Sequence, residues 1–316
     1  MGIHYTFKLN QSLHLYNSGD NLIKKRCILC KNEKFQLISK KTRDSKKHKI
    51  IRCLKCNHIQ LFPIPTLDDE KKFYDENLQD KNINDVGSIK RARRKMMYDN
   101  IRRYQFIQKI ISKKSRVLEI GSGHGFFLEI MKTNGFDIIG YDISKEKRKY
   151  SKKITDVPVY DININEKIPA DNKFDIVVLF HTLEHITEPI TLLKNIKKLL
   201  KPKGKILIEV PNSDDFHLKL NKFYKEFYWE RAHIHYFSSK ILKNVIHKSG
   251  FKNIRIVGVQ RYGIENFFHW KLTNKPQMEN PSYSLPTELN WIEKNYKKFL
   301  VDKLICDTIM AIGYEK

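Results

Sequence analysis

A glycine-rich turn between an apolar segment and a helix constrains the fold of this chain more than any other feature. RVLEI (116–120) predicts a short buried strand, GSGHG (121–125) follows it, and the next segment has the pattern of a helix. Gly121 allows a tight turn, and Gly123 lets a ligand approach the backbone beside the free N–H groups of a helix start. A dinucleotide fingerprint would need a glycine at Phe126. The turn therefore predicts a ligand loop of the GxGxG type.

Strands and helices alternate from this turn to the end of the chain. Further strands are predicted at 137–142, 158–162, 174–180, 205–210, 253–259 and 306–314, with helices at 126–134, 144–153, 188–201, 241–251 and near 287–303. This order predicts an α/β fold with a Rossmann-like, seven-stranded, mostly parallel sheet and helices on both faces. Ligands of such sheets bind at the carboxyl ends of the strands, near the point where the strand order reverses.

Two aspartates follow predicted strands on this ligand-binding side. Asp142 ends the second strand, where its carboxylate can accept both hydroxyls of a ribose. The alternative role is to cap the helix that begins near Ser144. Asp161 ends the third strand, where it or the neighbouring backbone can meet an adenine amino group, and the alternative is a simple loop aspartate.

Residues 116–259 resemble the class I SAM-dependent methyltransferases, through LEIGSGHG, GYD, FDIVVLFHTLEHI and LLKPKGKILIEVPN in the order and spacing of that family. The resemblance implies S-adenosyl-L-methionine (SAM) as the cofactor. It implies cofactor contacts by Glu119, Gly121, Ser122, Gly123, Asp142, Ile143, Asp161 and Ile162. In that arrangement Glu119 and the glycines lie along the methionine part, Asp142 holds the ribose, and Asp161 and Ile162 flank the adenine. The family ends in an antiparallel strand, which residues 306–314 would supply.

Four of the five cysteines form two CxxC pairs, Cys27 with Cys30 and Cys53 with Cys56. Each pair can wrap one side of a tetrahedral zinc ion, and two pairs complete a four-thiolate site without an open position. The predicted metal is therefore a structural Zn²⁺ that folds a segment too small to bury much core alone. The alternatives are unrelated reduced cysteines and a ligand role for His58, which four thiolates make unnecessary.

The domain organisation follows from these motifs. We expect a flexible arm at 1–25, a zinc knuckle at 26–66, a helical connector at 67–115, and a SAM-dependent methyltransferase domain at 116–316 with lid insertions near 211–240 and 261–300. The connector includes a helix predicted over 90–112, with Ile101 in its apolar stripe and Arg102 on the opposite side.

We expect no segment in this sequence that targets the chain to or across a membrane. Its longest strand-like apolar run, at 176–180, is far shorter than a membrane span, and its N-terminus lacks the apolar core of a secretion signal. Paired CxxC units without an export signal are typical of metal ligands in a reducing compartment. The sequence therefore predicts a cytoplasmic protein without a transmembrane segment.

The segment RCLKCNHIQLFPIP, a zinc knuckle followed by an extended aromatic-proline stretch, resembles a group that includes the deoxysugar C-methyltransferases. The resemblance implies a small-molecule acceptor, a nucleotide-activated sugar or surface-glycan precursor, methylated on carbon or oxygen. Asn57 stands where a glycine commonly follows the second CxxC pair. Asparagine tolerates a left-handed backbone, so the departure is mild.

Three histidines are candidates for removing the proton of an oxygen or carbon acceptor. His233 is the first choice, because it lies in an aromatic-rich segment that suits a lid over the acceptor. His185 and then His181 follow, since both come after the fourth strand. The alternative for His233 is packing in an aromatic segment.

The sequence around these histidines leaves two further points open. His181 and His185 with Glu184 resemble a two-histidine metal pattern without the HExxH order, and a structural role for Glu184 and His185 is the favoured alternative. In the sugar C-methyltransferases a Glu-His pair lies a few residues before a Phe-Ser pair. His233 keeps the histidine position, Ala232 occupies that of the glutamate, and Glu230 is nearby.

The formal net charge is +25, and the basic excess is largest in residues 1–115. Such a surplus can attract RNA or another polyanion, which is the main alternative acceptor class. The scattered placement of the lysines favours a solvated surface instead, so nucleic acid is the less favoured partner. A third alternative is a non-catalytic zinc-knuckle binding protein that retains the SAM fold, against which the glycine loop and Asp142 argue.

Overall fold

The computed structural model of the chain describes residues 26–66, 69–70, 73, 86–161, 173–277 and 285–315, and the statements below concern these residues. The predicted arm at 1–25, the first part of the predicted connector and the cofactor candidate Ile162 lie outside them. None of the described helices combines the length and apolar character that a membrane crossing needs.

The larger of two sheets has the predicted seven strands. In chain order they are β4 (Arg116–Ile120), β5 (Asp137–Tyr141), β6 (Val159–Tyr160), β7 (Phe174–Phe180), β8 (Leu200–Pro211), β10 (Lys252–Val259) and β11 (Thr308–Tyr314). Their spatial order is β10-β11-β8-β7-β4-β5-β6. β11 runs antiparallel to both neighbours, and the pairs from β8 to β6 are parallel. The predicted α/β fold with a mostly parallel sheet is therefore confirmed. The strand order reverses between β4 and β7.

Helices cover both faces of this sheet. They are α1 (Val86–Ile107), α2 (Phe126–Thr133), α3 (Lys145–Thr155), α4 (Pro189–Leu199), α5 (His217–Leu220), α6 (Lys222–Tyr228), α7 (Ser239–Lys248), α8 (Ile264–Thr273) and α9 (Asn290–Asp302). Leu118 and Ile120 pack into a core with α4 and α7, whereas Val117 packs into a second core with α1 and α2. Because successive side chains of a strand point to opposite faces, one apolar strand serves both cores.

Helix α1 differs from its prediction in its end and in its buried face. It ends at Ile107 rather than 112, and Ile101 of the predicted apolar stripe is 42% exposed. Arg102, predicted on the outer side, is half-buried in ion pairs, and Arg103 is buried. Both guanidiniums bind Glu209 of β8, so a buried carboxylate rather than an apolar stripe decides which side of α1 faces the sheet.

Strand β8 begins at Leu200, within the segment predicted to end the preceding helix. Phe174 of β7 pairs with Leu200, and Ile176 of β7 pairs with Lys205. Strand β8 therefore has more residues than β7 between these two pairs, and the pairing is irregular there. Pro202 and Gly204 therefore lie within the strand rather than before it. Proline is compatible with a strand at such an irregular position.

The smaller sheet belongs to the cysteine-rich segment and was not predicted. Its strands are β1 (Phe35–Ser39), β2 (Lys49–Cys53), β3 (Ile59–Phe62) and β9 (His235–Tyr236), in that order. β9 belongs to the first predicted lid insertion, 211–240, which is called the lid segment below. It pairs with β3, and His235 lies opposite Gln60. The knuckle and the lid segment therefore share one sheet.

Candidate functional site

The glycine loop has the backbone that its sequence predicts. Gly121 has φ 75° and Gly123 has φ 54°, in the left-handed region that glycine adopts without strain. A Cβ atom at Gly121 would lie 2.3 Å from Thr182 Oγ1, so a side chain there would clash with the segment after β7. A Cβ at Gly123 would meet nothing within 4 Å. The loop thus packs against the end of β7 on one side and offers open backbone to a ligand at Gly123.

Asp142 connects this loop to the end of β5. Its Oδ2 accepts a hydrogen bond from Gly123 N at 2.7 Å, and its Oδ1 accepts one from Ser144 N at 2.9 Å. Ser144 is itself the N-cap of α3, its Oγ accepting from Lys147 N. Each carboxylate oxygen has a further lone pair, so Asp142 can also accept ligand hydroxyls.

Glu119 is the most strongly perturbed carboxyl group near the loop. It is 4% exposed, and its Oε2 has no hydrogen-bond partner among the described residues. Burial, together with the Asp142 carboxylate, raises the pKa of Glu119 to about 8, although Arg103 opposes the shift. A buried carboxyl group with an unused oxygen fits a cationic ligand group, which would stabilise the ionised form.

The remaining cofactor candidates lie around the same edge. The guanidinium of Arg148 donates to Asp161 Oδ2 at 2.7 Å and to the carbonyl oxygens of Asp142 and Ile143. Ile143 is 52% exposed, and Ser122, within the glycine loop, is buried. The structure therefore brings the predicted cofactor residues that it describes to the carboxyl ends of β4, β5 and β6.

The four paired cysteines converge on one point. The sulfurs of Cys27, Cys30, Cys53 and Cys56 all lie within 4.8 Å of one another. Cys27 Sγ lies 3.5 Å from Cys56 Sγ, well beyond a disulfide bond of about 2.05 Å. Lys31 and Asn57, each directly after a CxxC pair, both have a left-handed backbone, at φ 60° and 62°. Two matching turns thus gather four sulfurs, a donor set typical of structural zinc sites, into one cluster.

His58 lies beside this cluster rather than within it. Its Nδ1 is 3.9 Å from Cys27 Sγ, and its Nε2 is 3.2 Å from Nδ1 of His235. His235 Nε2 donates in turn to the carbonyl oxygen of Ile186 at 3.0 Å. Both imidazoles are buried, and burial lowers the pKa of each. His58 therefore connects the cysteine cluster to the lid segment.

His181 stands between two buried glutamates at the end of β7. Its Nδ1 is 3.2 Å from Glu184 Oε1, and its Nε2 is 3.4 Å from Glu209 Oε1. Burial lowers the pKa of His181, but the two carboxylates outweigh it and raise the pKa above its usual value. His181 has φ 50°, an uncommon backbone for a residue with a side chain. Contacts on both sides of the ring accompany this strained conformation.

His185 contacts His233 of the lid segment, whereas the sequence pattern paired His185 with His181. His185 and His233 lie together, their ring centroids 5.0 Å apart, and both lie beside Glu184. His185 Nδ1 is 2.8 Å from the carbonyl oxygen of Ala232, and His233 Nε2 is 2.9 Å from Glu230 Oε1. Glu230 thus places a carboxylate against the His233 ring.

Glu209 is a functional candidate that the sequence analysis missed. It is fully buried on β8 and accepts hydrogen bonds from Arg102 and Arg103. Burial alone would raise its pKa, but the two guanidiniums hold the pKa of Glu209 well below its usual range. A charged residue inside the apolar run KILIEV was the available signal.

The knuckle holds the lid segment by several contacts besides the shared sheet. Arg43 pairs with Glu230 and donates to the carbonyl oxygen of Phe227 at 3.1 Å. Asp44 Oδ1 accepts from Arg231 N at 2.9 Å. Leu61 N donates to the carbonyl oxygen of Ile234 at 2.9 Å. The backbone on both sides of His233 is therefore attached to the cysteine-rich segment.

A cleft of about 780 Å³ lies between the knuckle, α7 and β10, and neither His185 nor His233 lines it. None of the described residues that line it is acidic. Its lining includes Lys55, Lys240, Lys243, His247 and Lys252. Such a surface favours an anionic ligand.

Comparison with known proteins gives a consistent picture. The profile of a family described as the methyltransferase domain matches residues 90–256. An uncharacterised protein of Methanocaldococcus jannaschii is 34% identical over 151 residues, covering 45% of this chain and 67% of that protein. A ubiquinone biosynthesis O-methyltransferase of Haemophilus ducreyi is 28% identical over 107 residues, 31% of this chain and 45% of that enzyme. The chain thus spans less than half of the length of this O-methyltransferase.

A solved structure shares the fold. Phosphoethanolamine N-methyltransferase 2 of Haemonchus contortus, in complex with S-adenosylhomocysteine, superposes with a TM-score of 0.51 at 14% identity. The match covers 81% of this chain and 62% of that one.

Proposed function

Since this chain belongs to the methyltransferase-domain family, we propose that it transfers the methyl group of SAM to a small-molecule acceptor. The observation that carries the proposal is the placement of the cofactor loop and the histidine cluster at one edge of the sheet. Thr182, next to His181, is the residue that Gly121 packs against. A ligand on the loop would therefore lie beside the side chains able to act on an acceptor.

The described residues fit SAM at this edge. When bound, SAM supplies a methyl group on a positively charged sulfur, which is a good leaving group. Glu119, with its unused buried oxygen, would hold the ammonium group of the methionine part. Asp142 would hold the ribose, while Ile143 and Asp161 would lie beside the adenine. Gly123 leaves the backbone of the loop open for this ligand.

The acceptor would lie between the end of β7 and the lid segment. His233 is the first choice for proton removal and His185 the second, because both rings belong to the cluster beneath this segment. Glu230 orients His233 through its Nε2, as the missing glutamate of the related enzymes would. Proximity and orientation are the main contribution of the protein, since SAM already supplies the reactive group.

We further propose that the cysteine cluster binds a structural Zn²⁺ that supports the lid segment. The metal would fix the turn before β1 and the turn between β2 and β3, and β3 carries the pairing with β9. The four sulfurs leave no ligand position for an acceptor, so the ion would not take part in methyl transfer.

The finer part of the proposal concerns the acceptor, a nucleotide-activated sugar or other surface-glycan precursor. Its support is the resemblance of the knuckle region and the pairing of His233 with Glu230. The test is to incubate the purified chain with SAM and a panel of nucleotide-sugars, and to follow methyl addition by mass spectrometry. Methylation of a panel member by the wild type but not by Asp142→Ala supports the proposal. Failure with all of them, at full SAM affinity, would contradict the acceptor class.

The basic cleft favours a second candidate function, methylation of RNA or another polyanion. Four lysines line the cleft and could neutralise phosphates. Retention on RNA that falls steeply with salt, together with methyl incorporation into RNA, would favour this candidate. Equal retention by Lys240→Ala/Lys243→Ala would count against it.

A further inference from the structure

Three hydrogen-bond acceptors converge beneath the lid segment. Glu184, His185 and His233 each offer one ligand atom, and these atoms all lie within 4.8 Å of one another. Two of the residues belong to the short 3₁₀ turn Leu183–His185 after β7, and the third belongs to the lid segment. A backbone hydrogen bond from Ile234 N to the carbonyl oxygen of Glu184, 2.9 Å long, holds the two segments together.

The other polar atom of each side chain is already occupied. His185 Nδ1 donates to the carbonyl oxygen of Ala232, which leaves Nε2 with its lone pair. His233 Nε2 donates to Glu230, and Glu184 Oε1 accepts from His181. Outer partners of this kind fix the tautomer and orientation of imidazole ligands in metal sites.

By contrast, the second polar atom of Glu184 and that of His233 have no hydrogen-bond partner among the described residues. Glu184 is fully buried, and its Oε2 has no hydrogen bond among the described residues. His233 Nδ1 is likewise buried without a partner there. Lone pairs that face one another repel and leave buried acceptors unsatisfied, so the space between them suits a cation.

We propose that Glu184, His185 and His233 bind one divalent first-row transition-metal ion. Two imidazoles and one carboxylate are the ligand set of catalytic zinc and of non-haem iron sites with open positions. Three atoms at most 4.8 Å apart lie within about 2.8 Å of a common centre, so a shift of under about 1 Å per ligand reaches a bond of about 2.0–2.1 Å. A proton on His233 is the competing occupant, which the metal would displace.

This metal site rests on the proposed function. It restricts the acceptor to a molecule that is methylated on oxygen. Three protein ligands leave room for an acceptor hydroxyl, whose acidity rises on coordination. The O–H proton leaves to solvent, the oxygen forms a bond to the methyl carbon, and the S–CH₃ bond breaks. The products are the methyl ether and S-adenosylhomocysteine. In this arrangement His233 is a ligand, and proton removal no longer requires it as a direct base.

The experiment adds Co²⁺ to the full chain with its zinc content measured before and after. Calorimetry counts the ions bound, and the visible spectrum separates a nitrogen and oxygen site from thiolate ligation. The wild type is expected to take up one Co²⁺ beyond the resident zinc, without thiolate charge-transfer bands. Glu184→Gln and His185→Ala should lose this uptake, and Glu230→Gln should weaken it about 10–100-fold. Glu188→Gln, an exposed acid that lies just after this turn at the start of α4, should bind as the wild type does.

No uptake by the wild type, or equal uptake by Glu184→Gln and His185→Ala with SAM affinity retained, would overturn the metal site. If methyl transfer to a hydroxyl then persists without added metal, the proposed function stands alone. Co²⁺ uptake without methyl transfer to any hydroxyl would support the site and reject the proposed acceptor chemistry.

Discussion

Glu230 Oε1 lies 2.9 Å from His233 Nε2, so the carboxylate three residues earlier in the chain contacts this imidazole directly. The two residues belong to a tight segment held by Arg43 of the knuckle. Burial lowers the pKa of His233, yet the Glu230 carboxylate outweighs it and raises that pKa above the usual value. The position of the Glu230 carboxylate in space thus affects the pKa of His233 more than the order of the two residues in the sequence does.

His233→Ala is expected to leave SAM affinity within a few-fold and to reduce turnover by about 10²–10⁴, whether His233 removes the proton or holds the proposed metal, since this is the range for losing a general base. The reason is that His233 belongs to the acceptor cluster, whereas the cofactor candidates lie along β4 and β5. Turnover at saturating acceptor is measured beside SAM affinity by calorimetry. Near-normal turnover would move the assignment to His185, and loss of SAM binding would indicate a structural role.

Asp142→Ala should weaken SAM binding by about 1–3 kcal/mol, the scale for hydrogen bonds to charged groups. The variant removes the acceptor of Gly123 N and the expected partner of the ribose. Asp137→Ala is the matched control, because Asp137 begins the same strand and is exposed. Equal SAM affinity for the two variants, measured by calorimetry, would contradict the assignment of Asp142.

Glu119 predicts a pH dependence of SAM binding. Its pKa of about 8 means that the free protein carries a protonated Glu119 at neutral pH. Pairing with the ammonium group of SAM needs the ionised form, so affinity should rise as the pH rises towards 8, by up to about tenfold per unit. Glu119→Gln should lose this slope. Titration of SAM itself affects the wild type and Glu119→Gln alike, so the measurement is the difference between their SAM affinities from pH 6 to pH 8. The same pH dependence of affinity in both proteins would reject a contact between Glu119 and the ammonium group.

Cys53→Ser is expected to lower the zinc content and also to reduce turnover. A defect confined to the knuckle would lower the zinc content alone. Cys53 ends β2, β2 pairs with β3, and β3 pairs with β9 beside His233. SAM affinity should change little. Cys306→Ser is the control, since Cys306 is buried outside the cluster and should leave zinc content unchanged. Full turnover in zinc-free Cys53→Ser protein would show that the knuckle does not support the lid segment.

Glu209→Gln should lower the free energy of unfolding by about 3–5 kcal/mol, the cost of leaving a buried charge without its partner. Arg102 and Arg103 would lose a fully buried carboxylate. Because the pKa of Glu209 is held well below its usual value, its contribution is present above the unfolded-state pKa and is lost as the pH falls through the folded-state value. Asp302→Asn, in an exposed pair with Lys298, should cost at most about 1 kcal/mol by urea denaturation. Similar losses of unfolding free energy in Glu209→Gln and Asp302→Asn would contradict the larger contribution expected of the buried carboxylate.

Local patterns were sufficient for much of the fold. The alternation of strands and helices predicted the seven-stranded sheet, because each strand such as RVLEI fills both cores with successive side chains. The boundary errors occurred where a distant partner decided the outcome. Helix α1 turns a polar side inward because Glu209 lies opposite it, and β8 starts early because Leu200 pairs with Phe174.

The sequence by itself determined the glycine loop, the place of Asp142 and the two CxxC turns, since short-range backbone geometry suffices for each of them. Only the tertiary structure decided that His185 meets His233 rather than His181, and that β9 joins the knuckle sheet. Burial of Glu184 and Glu209 likewise depends on chain segments far apart in sequence. A buried carboxylate is stable only with partners, and partners from distant segments are placed by packing rather than by any local pattern.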